Sequence, residues 1–389
     1  MEAGTRNGPT RRLQLLIKKL TRGLKVNTTV ASYWRKIQAS LFPGFAEELG
    51  DTTEKHRKLM LILDVVKIED HLELDPYPLG RGRPPLDSTA MARAFIAKAV
   101  LNLPTPRALI DRLDADSVLR RICGFGRKAM VPCEASFSNS FTKFADAKRA
   151  ERVHEALVSN AHQGVPVHNV SRDSTSIESR EKPPKKAPKA PRPARKRGRP
   201  KIGEVRPAKP LSRLERQQTM SLGEQLADLP IACDYGFKTN AKGISTGWIG
   251  YKLHIDTAQG AVPIACVLTS ASVHDSAVAL PLERMTGARI SSLYTLMDAA
   301  YDSAIIREET ELAGKVAVID SNARHGAKQE FDPPKRLRFK GRTEAERINS
   351  NLKDDYGARS VRVRGATKVM SDLMFGVLAL TAMRLVALT

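Results

Sequence analysis

Residues Arg180 to Lys209 cannot contribute to a folded core, and the rest of the chain must fold around them. The stretch holds 13 Lys or Arg, two Glu and seven Pro, a net +11 that is half of the formal charge of +22. Each Pro lacks an amide hydrogen, like charges repel, and few apolar side chains are present to offset the entropy of ordering. It reads as a disordered basic loop. A solubilising linker is the bland alternative, but the near absence of acids favours a nucleic-acid tether.

The two sides of this loop have different patterns. Residues 1 to about 165 read as helical. Arg11–Leu24 forms a basic amphipathic candidate. A clearer unit opens at Gly82-Arg83-Pro84-Pro85, where Asp87 or Ser88 can cap the following helix. Short helices follow over Pro106–Leu113 and Asp116–Cys123, and one long helix over about Ser136–Asn160. From Val165 short apolar or alternating runs take over. Strands are expected at Val167–Ser174, Ile231–Tyr235, Ile249–Asp256, Val262–Ser270, Ser292–Asp298 and Lys315–Asp320. Helices are expected at Gly341–Asp355 and Ala366–Leu388. The expected organisation is a segment 1–79, a helical domain 80–164, and an α/β (α+β) domain 165–389 with a mixed central sheet, interrupted at about 178–212.

With 64 Lys and Arg against 42 Asp and Glu, the chain suits a polyanionic partner, and nucleic acid leads. An anionic membrane surface is the competitor, but no lipidation signal accompanies the charge. The stretch Val369–Leu388 is apolar yet carries Asp372 and Arg384, which fits a core helix better than a membrane span. The N-terminal apolar run is broken by Gln14, Lys18 and Lys19, unlike a signal peptide. Cys123, Cys133, Cys233 and Cys266 form no C-x-x-C pair, so neither structural zinc nor disulfides are expected. The expected location is the cytoplasm.

Two aspartates and one helix face draw attention for chemistry. Asp173 lies inside an expected strand, where a carboxylate is costly unless something binds it. Asp298 ends the apolar run Leu293–Met297, at the end of a strand where α/β sheets keep their sites. Each is weak alone. Arg342, Glu346, Asn349 and Lys353 follow i, i+4, i+7, i+11 and share one helix face. Taken alone, that face is a solvated one with a single ion pair. Glu344 is a rival carboxylate, about 200° round the helix from Glu346. Asp275 and Asp302 read first as turn or helix-cap residues, His274 as structural rather than a metal ligand, and Trp248 as a packed strand aromatic.

Taken together, these residues resemble the DDE transposases of bacterial insertion sequences, in the branch with a Tyr-x2-Arg-x3-Glu-x6-Lys signature. Phe339 stands at the Tyr position, followed by Arg342, Glu346 and Lys353 at matching spacing. Gly250-Tyr251-Lys252, Val273-His274-Asp275-Ser276 and Asp298-Ala299-Ala300-Tyr301-Asp302-Ser303 resemble further family runs, with Ala300 in place of a Gly. The resemblance implies a ribonuclease-H-like core with a catalytic, metal-binding triad of Asp173, Asp298 and Glu346. It also implies two Mg²⁺ ions (Mn²⁺ as substitute) and Arg342 and Lys353 on DNA phosphates. Carboxylates, water and phosphate suffice for Mg²⁺, so no His or Cys is needed. Phe339 can stack but cannot donate a hydroxyl hydrogen bond.

The implied activity is binding of terminal inverted repeats, cleavage of double-stranded DNA and strand transfer, with a dimer in the synaptic complex. A metal-dependent nuclease without strand transfer, and a non-catalytic DNA-binding repressor, are the alternatives. Inside the basic loop, Lys196-Arg197-Gly198-Arg199-Pro200 resembles an AT-hook, whose arginines enter the narrow minor groove of A·T-rich DNA. Lys196, Arg197 and Arg199 are therefore further candidate DNA contacts.

Overall fold

The computed structural model describes residues 52–72, 86–185, 198, 210–239, 243–322 and 329–388. The expectations for Arg11–Leu24, for Gly82–Pro85 and for most of the basic loop, including Lys196, Arg197 and Arg199, fall outside the described residues.

Among the described residues, six α-helices precede the sheet: α1 (Glu54–Val66), α2 (Ser88–Val100), α3 (Pro106–Ala115), α4 (Ser117–Cys123), α5 (Glu134–Asp146) and α6 (Arg149–Ala161). Their starts follow from local chemistry. Asp87 caps α2 by accepting from the amides of Thr89 at 2.8 Å and Ala90 at 3.3 Å. Thr105, with Pro106 behind it, opens α3. The single long helix expected over Ser136–Asn160 is two helices. Lys148 between them takes a left-handed conformation at φ 50°, which ends one helical ladder and starts another.

The strands are β1 (Val167–Glu178), β2 (Asp234–Thr239), β3 (Ser245–Ala258), β4 (Val262–Ser270), β5 (Ser292–Met297) and β6 (Val316–Ile319). β4, β3 and β1 pair antiparallel, while β1, β5 and β6 pair parallel. This is the mixed sheet of a ribonuclease-H-like fold. Between these strands lie α7 (Arg213–Thr219), α8 (Leu222–Ala227), α9 (Ala279–Arg289) and α10 (Ala304–Leu312). The chain ends with α11 (Pro333–Phe339), α12 (Thr343–Asp355) and α13 (Ala366–Leu388). The expected strand at Ile231–Tyr235 lies three residues later, as β2. Ala232 is held instead by its carbonyl, which accepts from Ser270 Oγ at 2.5 Å, and Ile231 is exposed.

Alternation along the strands assigns the two sheet faces. Leu253 and Ile255 of β3, with Cys266 and Leu268 of β4, turn towards the helices and join their core. Ala265 and Val267 of β4 turn the other way, onto α8, α9 and the turn before α9. The helical region and one sheet face thus share one continuous apolar core. At its centre Phe95 of α2 packs against Phe141 of α5 at 5.2 Å and Phe375 of α13 at 5.5 Å. α13 is the one helix among the described residues long and apolar enough to cross a membrane, and most of it is buried. Its Asp372 pairs with Lys98 of α2 at 2.8 Å, as suits a core helix.

Candidate active site

Strand pairing decides which carboxylates meet. In the parallel ladder Ser171 of β1 stands opposite Leu296 of β5. Two residues further along each strand come Asp173 and Asp298, so the register sets them side by side where β5 ends. Asp298 is held there by its own chain turn, accepting the Ala300 amide at 2.9 Å. That turn is a short 3₁₀ helix over Ala299–Tyr301, and Ala300 is not among its positive-φ residues. The Ala in place of the family's Gly therefore causes no backbone strain.

α12 lies over β1 with Ala345, Ile348 and Leu352 buried, and the edge that carries Arg342, Asn349 and Lys353 runs beside the strand. The carbonyl of Gly341, just before the helix, accepts from Ser171 Oγ at 3.1 Å. The next residue, Arg342, stands 4.0 Å from Asp173 and pairs with Glu346. Asn349 donates to Asp173 Oδ2 at 3.0 Å, and Lys353 Nζ donates to Ser176 Oγ at 3.2 Å. The four side chains at i, i+4, i+7 and i+11 thus track β1 from Asp173 to Ser176. Glu346 is the outermost, with its side chain 52% exposed. Glu344 turns to the far side and receives the Gly260 amide at 3.4 Å, as the helix angle requires. Phe339 lies against Arg342, with the guanidinium 5.8 Å from its ring centre, and against Phe331 at 5.0 Å. The aromatic at that signature position props the arginine.

The aspartates sit in strained electrostatic surroundings. Burial pushes Asp173 up to about 6, the Ser174 amide and Arg342 pull it back, and the charge of Asp298 adds to the rise. Burial also raises Asp298, with the nearby Asp275 charge adding to it against the Ala300 amide. Lys353 is held below its usual range by burial and by the like charges of Arg359 and Lys238. Carboxylates that resist losing protons thus stand near a lysine that resists holding one, which suits a site completed by both cations and phosphates.

Three groups of residues lay beyond sequence reasoning. Arg172, 1% exposed, turns to the opposite sheet face from Asp173. It donates to both carboxylate oxygens of Asp256, at 2.7 and 2.8 Å, to Glu283 at 3.0 Å and to the Ala279 carbonyl at 2.9 Å. Lys315 completes the network on Glu283 at 2.6 Å. Asn349 is the second, since its face position was visible but its contact was not. Asp275 is the third: it pairs with Lys252 at 2.9 Å, a contact that joins two of the family-like runs. Asp302 behaves as a structural residue, accepting from Arg307 at 2.7 Å and from the Asn322 amide at 2.9 Å. His274 likewise caps the turn at Asp275–Val278.

Among the described residues no three His, Cys, Asp or Glu side chains stand close enough together to hold a metal ion. The donor set nevertheless suits a divalent ion. Two half-buried carboxylates lie side by side without full neutralisation, and the carboxylate of Glu346 is diverted to Arg342. Hard oxygen donors of this kind are what Mg²⁺ takes.

Comparison with known protein families gives two matches. A transposase DDE domain model matches residues 218–382, and a second transposase domain model (DUF772) matches residues 46–143. The first span holds Asp298, Arg342, Glu346 and Lys353; Asp173 precedes it and joins it through the β1–β5 ladder. No curated protein and no solved structure matches the chain. With transposase domains matched on both sides of the basic loop and a ribonuclease-H-like sheet between its helices, the chain belongs to the insertion-sequence DDE transposases.

Proposed function

We propose that this transposase binds the terminal inverted repeats of an insertion sequence, cleaves the DNA at those ends and transfers the 3′ hydroxyl to target DNA, using Asp173, Asp298 and Glu346. The observation that supports this most directly is the parallel register of β1 and β5, which pairs Asp173 with Asp298 beneath the helix carrying Glu346. Asp173, Asp298 and Glu346 would hold Mg²⁺, two ions in all, which when bound activate the attacking oxygen and stabilise the leaving one.

The remaining work belongs to the chain's own bases. Arg342 is shared between Asp173 and Glu346, and a phosphate competes for the same guanidinium with bidentate geometry. An arriving DNA end would draw Arg342 off Glu346 and leave that carboxylate free to turn to the aspartates. Lys353, two turns along the same face, supplies a point charge for the next phosphate. Lys196, Arg197 and Arg199 in the basic loop add contacts with DNA in the narrow minor groove of A·T-rich stretches. Because two ends must be brought together, a dimer forms in the synaptic complex, in the cytoplasm on nucleoid DNA.

The test is a plasmid carrying the element's ends, with cutting and joining scored separately. Asp173→Ala, Asp298→Ala and Glu346→Ala should each abolish both while DNA binding survives. Arg342→Ala and Lys353→Ala should impair end processing more than affinity for random DNA. Glu344→Ala should stay active. Cutting without joining by the wild type would make the protein a nuclease. Loss of activity with Glu344→Ala but not Glu346→Ala would sink the triad.

A further inference from the structure

The helix face that carries Glu346 holds one polar side chain that no transposase role has absorbed. Asn349 is 7% exposed and lies between Glu346 and Lys353 on α12. Its Nδ2 donates to Asp173 Oδ2 at 3.0 Å. An ionised carboxylate only accepts, so the amide nitrogen must be the atom that faces it. Its Oδ1 then points elsewhere, is closed off from solvent and meets no hydrogen-bond donor among the described residues. A buried acceptor left empty costs on the order of 1–3 kcal/mol. A buried helix position would shed that cost by becoming Leu or Ala unless the amide served something.

We propose that Asn349 is a positioning residue of the carboxylate centre: through Nδ2 it fixes the Asp173 carboxylate, and its vacant Oδ1 accepts a hydrogen bond from a water or hydroxyl bound beside Asp173. The inference rests on the assignment of Asp173 as a metal-holding carboxylate. The geometry supplies the reason. Asp173 has two oxygens. One is taken by Asn349, and the other lies on the side of Arg342, 4.0 Å away. Clamping the first oxygen stops rotation about the terminal torsion, which is otherwise broad, and keeps the second available. Outer partners of ligating carboxylates act in this way, and their loss typically costs about 10–100-fold in metal affinity.

The test uses full-length protein with Asn349→Leu, which keeps the branched outline without the polar atoms, and Asn349→Ser, which keeps a polar group too short to reach. Mn²⁺ binding is measured by calorimetry on DNA-free protein, alongside the Mn²⁺ concentration for half-maximal cleavage, affinity for random DNA and thermal midpoint. Both variants should bind Mn²⁺ about 10–100-fold more weakly and need correspondingly more Mn²⁺ for cleavage. Affinity for DNA should not change, and Asn349→Leu should melt no lower than wild type. If Asn349→Leu does not fold, Asn349→Ser carries the same expectation. Wild-type Mn²⁺ binding in the folded variants would overturn the proposal. Asp173→Ala is run in parallel: if it retains cleavage, the carboxylate assignment fails. If it abolishes cleavage while the Asn349 variants bind Mn²⁺ normally, only the positioning role fails.

Discussion

Arg172 and Asp173 are consecutive on β1 and serve opposite faces of the sheet. Arg172 is locked into Asp256 and Glu283 on one side, and Asp173 meets Asn349 and Arg342 on the other. The pleat makes this unavoidable. The strand position of the candidate catalytic aspartate is therefore fastened from behind by a buried ion network.

Removal of that fastening should be costly. Arg172→Met keeps the bulk but leaves the Asp256 charge buried with no cation beside it and only the Thr286 hydroxyl bound to it, while Glu283 retains Lys315. Breaking a buried pair from one side costs about 3–5 kcal/mol. Urea unfolding of the variant should show a midpoint shift of that size. A shift under about 1 kcal/mol would mean that the network contributes no more than surface pairs do.

Asp173 should trade stability for function. The folded carboxyl keeps its proton up to about pH 6, whereas the unfolded one releases it near the ordinary aspartate value of 3.8. Between these values the folded state binds more protons, so stability falls as pH rises and the full loss is present above pH 6. In metal-free buffer at pH 7.5, Asp173→Asn should therefore be more stable than wild type, on the order of 1–3 kcal/mol, and inactive. The gain should vanish below about pH 4. An unchanged thermal midpoint at pH 7.5 would refute the shift.

Two histidines should act in the opposite direction. Burial holds His154 down to about 3 and His254 down to about 4. His154 sits against the Pro263 carbonyl and Thr381, each at 3.2 Å, and His254 against Thr269 at 3.0 Å. The unfolded chain takes up protons at these positions below pH 6.5 and the folded chain does not. Stability is thus retained above pH 6.5 and lost as pH falls towards the folded values, by about 1.4 kcal/mol per pH unit for each histidine. His154→Asn should be less stable than wild type at pH 7.5, yet show a shallower decline in urea midpoint between pH 6.5 and 4.5. Parallel declines would contradict the assignment.

The basic loop is anchored at its root. Glu181 accepts from Tyr251 Oη and, at 3.2 Å, from the Gly365 amide at the start of α13. Replacing residues 186–209 by a short Gly/Ser linker spares that anchor, so the thermal midpoint should stay within a few degrees, because surface loops add little closure entropy. DNA affinity should drop, and the slope of log K against log salt should flatten by several units. Arg197→Ala with Arg199→Ala should reduce preference for A·T-rich over G·C-rich duplexes. An unchanged salt slope would remove the tether role, and equal losses on both duplexes would leave two ordinary phosphate contacts.

Much of this molecule was legible from periodicity and spacing. Alternation located β1, β3, β4, β5 and β6, the Asp87 cap located α2, and the i, i+4, i+7, i+11 spacing identified the face of α12 that meets β1. These are local properties, set by 2.0- and 3.6-residue repeats and by capping chemistry within a few residues. Local signals were weaker where a distant contact decided the outcome. β2 starts at Asp234 because its pairing with β3, Asp234 opposite Gly250, selects that frame. The break at Lys148 lets α5 and α6 pack separately on α13. The pairing of Asp173 with Asp298 depends on which strands become neighbours and in what register. Arg172's partners lie on β3 and α9, and Asn349's partner lies on β1. Such choices are made by the burial of whole faces and the matching of buried charges across the fold, so they appear only once the sheet has closed against its helices.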